Sequence, residues 1–402
     1  MFDPFDASRS RDAWDTLREF RNESPVATLA SGLRYVTRYE EARAVLRDTA
    51  TFSNASGLKA PGVEIPEEDR LLGELDPPRH TAVRRVMVTA MTPKVVHAAE
   101  PFIAGTAATL LGALPADRFD LVSSYTTVLP NRVTMYLLGF DPAEADQVAR
   151  WAKELMESTF PALNRTERGV GFAAAFPEFA GYVDERIAAR RAHLDADADA
   201  SAAPDDVLSR LIRLEVDDTP LPPEQLRALV RNLITGGLTT TTQLLGNLMH
   251  EMLRSPATEA ALRADRARIP VAIEESLRLA PPVLFMARGC VRDTQIGGCP
   301  VHAGERVAIG SASANRDERV FPRADDFDLA RPNADQHLTF GYGAHVCPGA
   351  TLARAVARIG LESVLDHFAS GELQLEPGFV FEQVPTFFEH GPKHLPVVRG
   401  HR

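Results

Sequence analysis

The run FGYGAHVCPGATLAR, from Phe340 to Arg354, is a glycine-rich loop feeding a helical pattern that spans Ala350 to Leu365. Its cysteine, Cys347, therefore stands beside a helix N-terminus, where the dipole favours thiolate over thiol. Gly341, Gly343 and Gly349 strip side-chain bulk from around the sulfur and leave backbone N–H groups open to it. A metal-bound thiolate requires that shielding, together with hydrogen bonds that tune its donor strength. Cys347 has no CxxC partner, which argues against a four-cysteine zinc or iron–sulfur site. It is not part of a CxxCH run either, so covalent haem attachment is excluded. On the residues alone two uses remain: a nucleophile paired with His345, or a single axial ligand to haem iron.

Upstream, Pro223 to Leu253 has the pattern of one long helix. Pro222 and Pro223 suit its first turn, where a missing N–H costs little. Leu226, Leu229, Leu233, Ile234, Leu244, Leu248 and Met252 keep helical spacing, so one stripe is buried. The centre is weak: Thr235, Gly236, Gly237 and Leu238 run into Thr239 to Thr242. Each glycine there costs about 1 kcal/mol relative to alanine. Such a centre has another use, because glycine lets a flat ligand or substrate approach the backbone and threonine supplies hydroxyls. A kink or a close helix crossing is the competing reading of the same residues.

The rest of the chain sets the context. Of 402 residues, 45% are hydrophobic and 25% charged, the profile of a soluble globular protein. Three cysteines rule out a disulfide framework and suit a reducing compartment. A net charge of −11 argues against a general nucleic-acid binder. No run approaches the roughly 20 apolar residues of a membrane helix, and the charged start has no apolar signal core, so a cytoplasmic protein is expected. Short strands are expected at Val26–Ala30, Arg34–Thr37, Ala287–Ile296 and Arg306–Ile309. An acidic surface loop is expected from Asp195 to Asp206. Most of the remainder reads as helix. The expectation is a mainly α protein with small β-sheets, forming a single domain over residues 1–402.

Phe340 to Arg354 closely resembles the haem-binding signature of cytochrome P450s, whose haem is held by a cysteine thiolate. Other landmarks follow in the right order. Glu275-Ser276-Leu277-Arg278 resembles the family's ExxR motif, its two charges on one helical face, and Pro281-Pro282 closes that helix. Ala314 to Asp317, through Phe321-Pro322 to Phe327–Pro332, resembles the meander before the cysteine loop. Asp76 to Arg85 resembles the DPPxHxxxR segment. The resemblance spans nearly the whole chain and is diffuse before Leu71 and between Asp141 and Pro220.

The resemblance implies the P450 fold, with heme b bound non-covalently between the glycine–threonine helix and the helix after Cys347. It implies a haem-thiolate monooxygenase that takes electrons from an iron–sulfur ferredoxin, reduced in turn by an NAD(P)H-dependent reductase. One oxygen atom of O2 then enters a small, largely apolar organic substrate by hydroxylation or oxidative demethylation. Cys347 would be the iron ligand and Thr239 the residue that assists the bound oxygen and relays protons. His80, Arg84, Arg288 and His345 match contacts to the haem propionates, and Gly236, Phe340 and Gly349 match other haem contacts. Glu275, Arg278 and Arg331 would form a buried, structural ion network. Leu233, Thr235, Gly236, Leu284, Phe285, Phe387 and Phe388 would contribute to the substrate pocket, with further walls from Ser53–Leu72 and Met156–Leu163. Arg85, Arg354 and Arg358 would offer a basic face to an acidic ferredoxin.

One position departs from the family pattern: Leu238 stands where an acid commonly precedes the threonine. Proton delivery would then fall to Thr235 and Thr239–Thr242 with water, or to a group on the substrate. Alternatively the natural reaction is peroxide-driven oxidation or oxidative coupling. Two more distant classes are a haem-binding scaffold without monooxygenase activity and a cysteine–histidine hydrolase. Thr239 and the intact cysteine loop count against the first, and the other landmarks against the second.

Overall fold

The computed structural model describes residues 13–29, 32–57, 67, 70–159, 172–196, 205–216, 218–384 and 389–400. The chain forms two compact units: residues 1–53, 100–129 and 240–402 make one, residues 54–99 and 130–239 the other. The division falls inside three helices, Pro93–Gly112, Val128–Leu138 and Pro223–Leu253.

The first unit holds a five-stranded sheet in the order Val26–Thr28, Arg34–Val36, Arg306–Ile309, Met286–Cys290, Phe52–Ser53. Neighbours are antiparallel except Arg306–Ile309 beside Arg34–Val36, which run parallel. Strand alternation buries both faces. Val36, Val307 and Ile309 join one apolar cluster with Tyr39, Val45, Phe321 and Leu338. Tyr35 and Ala308 face the other way, into a cluster with Leu17, Leu29, Leu33 and Phe285. A second sheet pairs Pro396–Arg399 with Leu373–Leu375 and Arg118–Asp120. The expected strand Ala287–Ile296 is two strands, Met286–Cys290 and Thr294–Ile296. The second turns back onto Cys299–Val301 through Gly297 and Gly298, both at positive φ, as a two-residue hairpin turn requires.

Among its described residues the second unit is helical apart from loops and a small hairpin, Glu215–Val216 with Thr219–Pro220. Its helices include Arg79–Ala90, Ala145–Thr159, Pro177–Ala196 and Val207–Arg213. Of the acidic stretch Asp195–Asp206, residues 197–204 lie outside the described residues. Its start still belongs to the helix ending at Ala196, and Asp206 caps the next one by accepting the Ser209 N–H at 2.8 Å.

The long helix runs from Pro223 to Leu253 and the helix after the cysteine from Ala350 to His367. One helix corrects the sequence expectation about membrane-length segments. Pro93–Gly112 is long and apolar enough to cross a membrane, by length and composition only. Its Glu100 is paired with Arg358 of the Ala350–His367 helix at 2.9 Å, a tie suited to a packed helix.

Candidate active site

The cysteine loop is fixed from its base. The Cys347 N–H donates to Phe340 O at 2.7 Å and the Gly341 N–H to Leu338 O at 2.9 Å. Gly341 and Gly343 take φ values of +75° and +74°, which L side chains rarely adopt. Cys347 is half-buried, three residues before the helix Ala350–His367. A β-carbon on Gly349 would stand 3.8 Å from its sulfur. Arg354, one turn into that helix, lies over the Phe340 ring at 4.7 Å. The other cysteines are occupied structurally: Cys290 donates to Arg292 O at 3.0 Å and burial pushes its thiol up. Cys299 contacts the Ser24 hydroxyl at 3.6 Å. Among the described residues, no group of three or more His, Cys, Asp or Glu side chains could hold a metal ion.

Beneath the loop lies an ion network. Arg278 Nε and Nη2 donate to the two Glu275 carboxylate oxygens at 2.6 and 3.1 Å. Its other N–H groups reach Asn315 O at 3.0 Å, Ala324 O at 2.6 Å and Asp326 O at 2.9 Å. Arg331 Nε lies 2.9 Å from Glu275 Oε1. All three side chains are buried, Glu275 and Arg278 completely. The attraction of two cations and one anion, with all five Arg278 donors filled, is what makes such burial tolerable.

Residues the sequence reading missed carry this order to the sulfur. Asn315 Oδ1 accepts the Leu338 N–H at 2.7 Å and its Nδ2 donates to Thr339 Oγ1 at 2.8 Å. Thr339 in turn donates to Leu277 O at 2.6 Å. Glu274 binds Arg354 Nε and Nη2 at 2.6 and 2.8 Å and His337 Nε2 at 3.1 Å. Burial would raise the Glu274 carboxyl, but those hydrogen bonds outweigh it and hold it at about 2. Asn315 sits inside the stretch quoted for the meander and Glu274 beside the ExxR glutamate. Nothing in their spacing reveals the partners, which lie far along the chain.

In the second unit the two central glycines of the long helix divide their work. A β-carbon on Gly237 would stand 2.9 Å from Thr134 Oγ1 on Val128–Leu138, so this glycine permits a close helix crossing. Gly236 is exposed, and a β-carbon there would meet only Asn232 Nδ2, at 3.8 Å, beyond the helix's own backbone. Thr239, one turn on, carries a buried hydroxyl with no hydrogen-bond partner among the described residues. An open glycine beside an unsatisfied hydroxyl is a fit for a flat group and a polar ligand against the backbone. His80, fully buried, and Arg84, half-buried, stand one turn apart on Arg79–Ala90.

The cytochrome P450 family profile matches residues 13–378. The chain is a cytochrome P450. It is 34% identical over 394 residues to erythromycin C-12 hydroxylase of Saccharopolyspora erythraea, covering 96% of this chain and 94% of that protein. It is likewise 34% identical to the cyclomarin C epoxidase CymV of Salinispora arenicola, covering 98% of each. A solved structure of a mutant of P450 EryK in complex with erythromycin B superposes with a TM-score of 0.86 at 32% identity, covering 99% of this chain and 98% of that one. Membership makes the chain a P450 monooxygenase, an oxidoreductase with heme b on a cysteine thiolate axial ligand.

Several residues of the P450 lie differently from the sequence expectation. Phe285, expected as a pocket wall, is fully buried in the cluster with Leu17, Leu29 and Tyr35, and Leu284 packs partly against the same cluster. Phe387 and Phe388 lie outside the described residues, as does much of residues 58–69 and 160–171. Thr235 is buried and its hydroxyl donates to Arg231 O at 3.0 Å, so its proton is spent inside the helix. Leu233 is half-buried. Leu238 is 2% exposed, an apolar core position. Arg354 and Arg358 are both neutralised, the first by Glu274 and the second by Glu100 and Glu362. The expected basic face of Arg85, Arg354 and Arg358 is thereby reduced to the exposed Arg85. Arg288 is buried on Met286–Cys290, with Nη1 donating to Ala287 O at 2.8 Å, and His345 is half-buried at the end of the turn Gly343–His345.

Proposed function

We propose that the P450 inserts one oxygen atom from O2 into a small, largely apolar organic substrate, by hydroxylation or oxidative demethylation, in the cytoplasm, the whole chain acting as one domain. The observation that carries the reading is Cys347: a half-buried thiol in a glycine loop at a helix start, inside the family's signature. When bound, heme b supplies the iron on which oxygen is reduced. Cys347 would be its ligand, and the Ala350–His367 dipole would favour the sulfur as thiolate. His80, Arg84, Arg288 and His345 would hold the propionates through charge-assisted hydrogen bonds. Gly236, Phe340 and Gly349 would give the macrocycle room. The Thr239 hydroxyl would hold and pass a proton on the oxygen side, a task Leu238 cannot share. The names of the relatives, hydroxylase and epoxidase, support oxygen insertion.

Electrons would come from an iron–sulfur ferredoxin with its NAD(P)H-dependent reductase. Cations beside the cysteine loop support an acidic partner. Arg43 donates to the Tyr342 hydroxyl at 2.8 Å, and the exposed Arg47 has its Cα 3.4 Å from a β-carbon built on Gly343. The buried Leu238 favours one second reading, turnover driven by peroxide. The test is the CO difference spectrum of the reduced wild type and of Cys347→Ser, followed by product analysis with ferredoxin, reductase and NADPH or with hydrogen peroxide alone. A thiolate-type band lost in Cys347→Ser supports the reading; a band unchanged by that substitution refutes it. Product from peroxide alone, with none from the ferredoxin chain, selects the second reading.

A further inference from the structure

We propose that Asn232 is a substrate-positioning residue whose side-chain NH2 is a fixed hydrogen-bond donor for an acceptor oxygen on the substrate. The inference rests on the reading that the Gly236–Thr239 face of the long helix meets substrate. Asn232, Gly236 and Thr239 follow one another at helical i, i+4, i+7 spacing, so they share one face. The amide is not free to turn. The Leu72 N–H donates to Asn232 Oδ1 at 2.9 Å, and only the oxygen end of a carboxamide can accept it.

Leu72 is itself held in place. Asn54 Nδ2 donates to Gly73 O at 2.9 Å, the Asn54 N–H to Asp76 Oδ1 at 2.8 Å, and the Leu71 N–H to Glu74 Oε2 at 2.9 Å. The NH2 end is consequently committed to the opposite side, 3.8 Å from where a Gly236 β-carbon would stand. Among the described residues it has no acceptor there. A purely hydrocarbon ligand over Gly236 would strip water from this donor and return nothing. A ligand presenting a carbonyl, ether or hydroxyl oxygen would satisfy it. The substrate class is therefore an apolar skeleton bearing an acceptor oxygen near the carbon that is oxidised, with Asn232 setting which carbon is presented.

The experiment uses the haem-loaded protein as wild type, Asn232→Asp and Asn232→Leu. Aspartate keeps an oxygen for the Leu72 N–H and removes the donors; leucine removes both. Cyclododecanone and cyclododecane are titrated while the Soret spin shift is followed, and amide exchange at Leu72 reports the anchor. The wild type should bind the ketone at least about tenfold more tightly than the hydrocarbon, the worth of one well-formed hydrogen bond in a dry site. Asn232→Asp should lose that preference while Leu72 stays protected; Asn232→Leu should lose both. A wild type without the preference, or an Asn232→Asp protein that retains it, overturns the proposal. With a thiolate-type CO band present, that failure belongs to Asn232 alone. A wild type without such a band removes the haem reading and this inference together.

Discussion

Arg278→Lys is the most demanding test of how the cysteine loop is held. The Arg278 guanidinium makes five hydrogen bonds, to Glu275 Oε1 and Oε2, Asn315 O, Ala324 O and Asp326 O, with every N–H used and no solvent exposure. An ammonium has three N–H groups, so at least two of these acceptors lose their partner. At about 1–3 kcal/mol for each buried group left unmet, the cost comes to about 4 kcal/mol. Breaking a buried ion pair falls in the same range, about 3–5 kcal/mol. The damage should be directional, because Asn315, which Arg278 holds by its carbonyl, also fixes Leu338 and Thr339 at the base of the loop. In urea, Arg278→Lys should release haem at a lower concentration than the one that melts its helices, whereas the wild type loses both closer together. Far-UV circular dichroism and the Soret band, followed on one sample, give both midpoints. A stability loss below about 1 kcal/mol, well short of the unmet-acceptor cost, would show that the network is not what orders the loop.

His390 and His250 predict acid lability. Burial pushes His390 down to about 3 and His250 to about 4, with Arg316 adding to the first and Arg254 to the second. The unfolded chain therefore binds these protons first, near the ordinary histidine value of about 6.5. Their contribution is complete above that value and falls as pH drops towards 4 and 3. His390→Phe should flatten the slope of stability against pH between 6 and 4 by about 1.4 kcal/mol per pH unit, one proton's worth; urea unfolding at several pH values with an unchanged slope would contradict this. Leu238→Glu places a carboxyl at a position 2% exposed. It should lower stability by about 3 kcal/mol or more without raising the yield of product per electron. A variant as stable as the wild type and better coupled would show that this side chain reaches the proton path after all.

The signature around Cys347 and the ExxR helix were legible because each is local. A glycine loop entering a helix, or two charges one turn apart, is written in neighbouring residues, and the Pro223–Leu253 helix has the boundaries that its prolines and spacing imply. Local pattern did not distinguish the two central glycines. Gly237 serves a helix crossing and Gly236 is open, a distinction made by Thr134, about a hundred residues earlier. Phe285 reads as readily as a pocket wall as a core residue until Leu17, Leu29 and Tyr35 are brought around it.

Charge partners were hidden for the same reason. Arg354 looks like part of a basic face in one dimension, but Glu274 cancels it in three; Arg358 has the distant Glu100 beside its local partner Glu362. Sequence by itself thus determined the family, the cysteine loop and the long glycine–threonine helix, since short-range geometry and residue chemistry suffice for these. Tertiary structure decided which polar groups are spent and which remain available, as with Thr235 turned back on Arg231 O and Asn232 locked by Leu72. Hydrogen bonds between distant segments depend on where the chain returns in space, and no spacing along it records that.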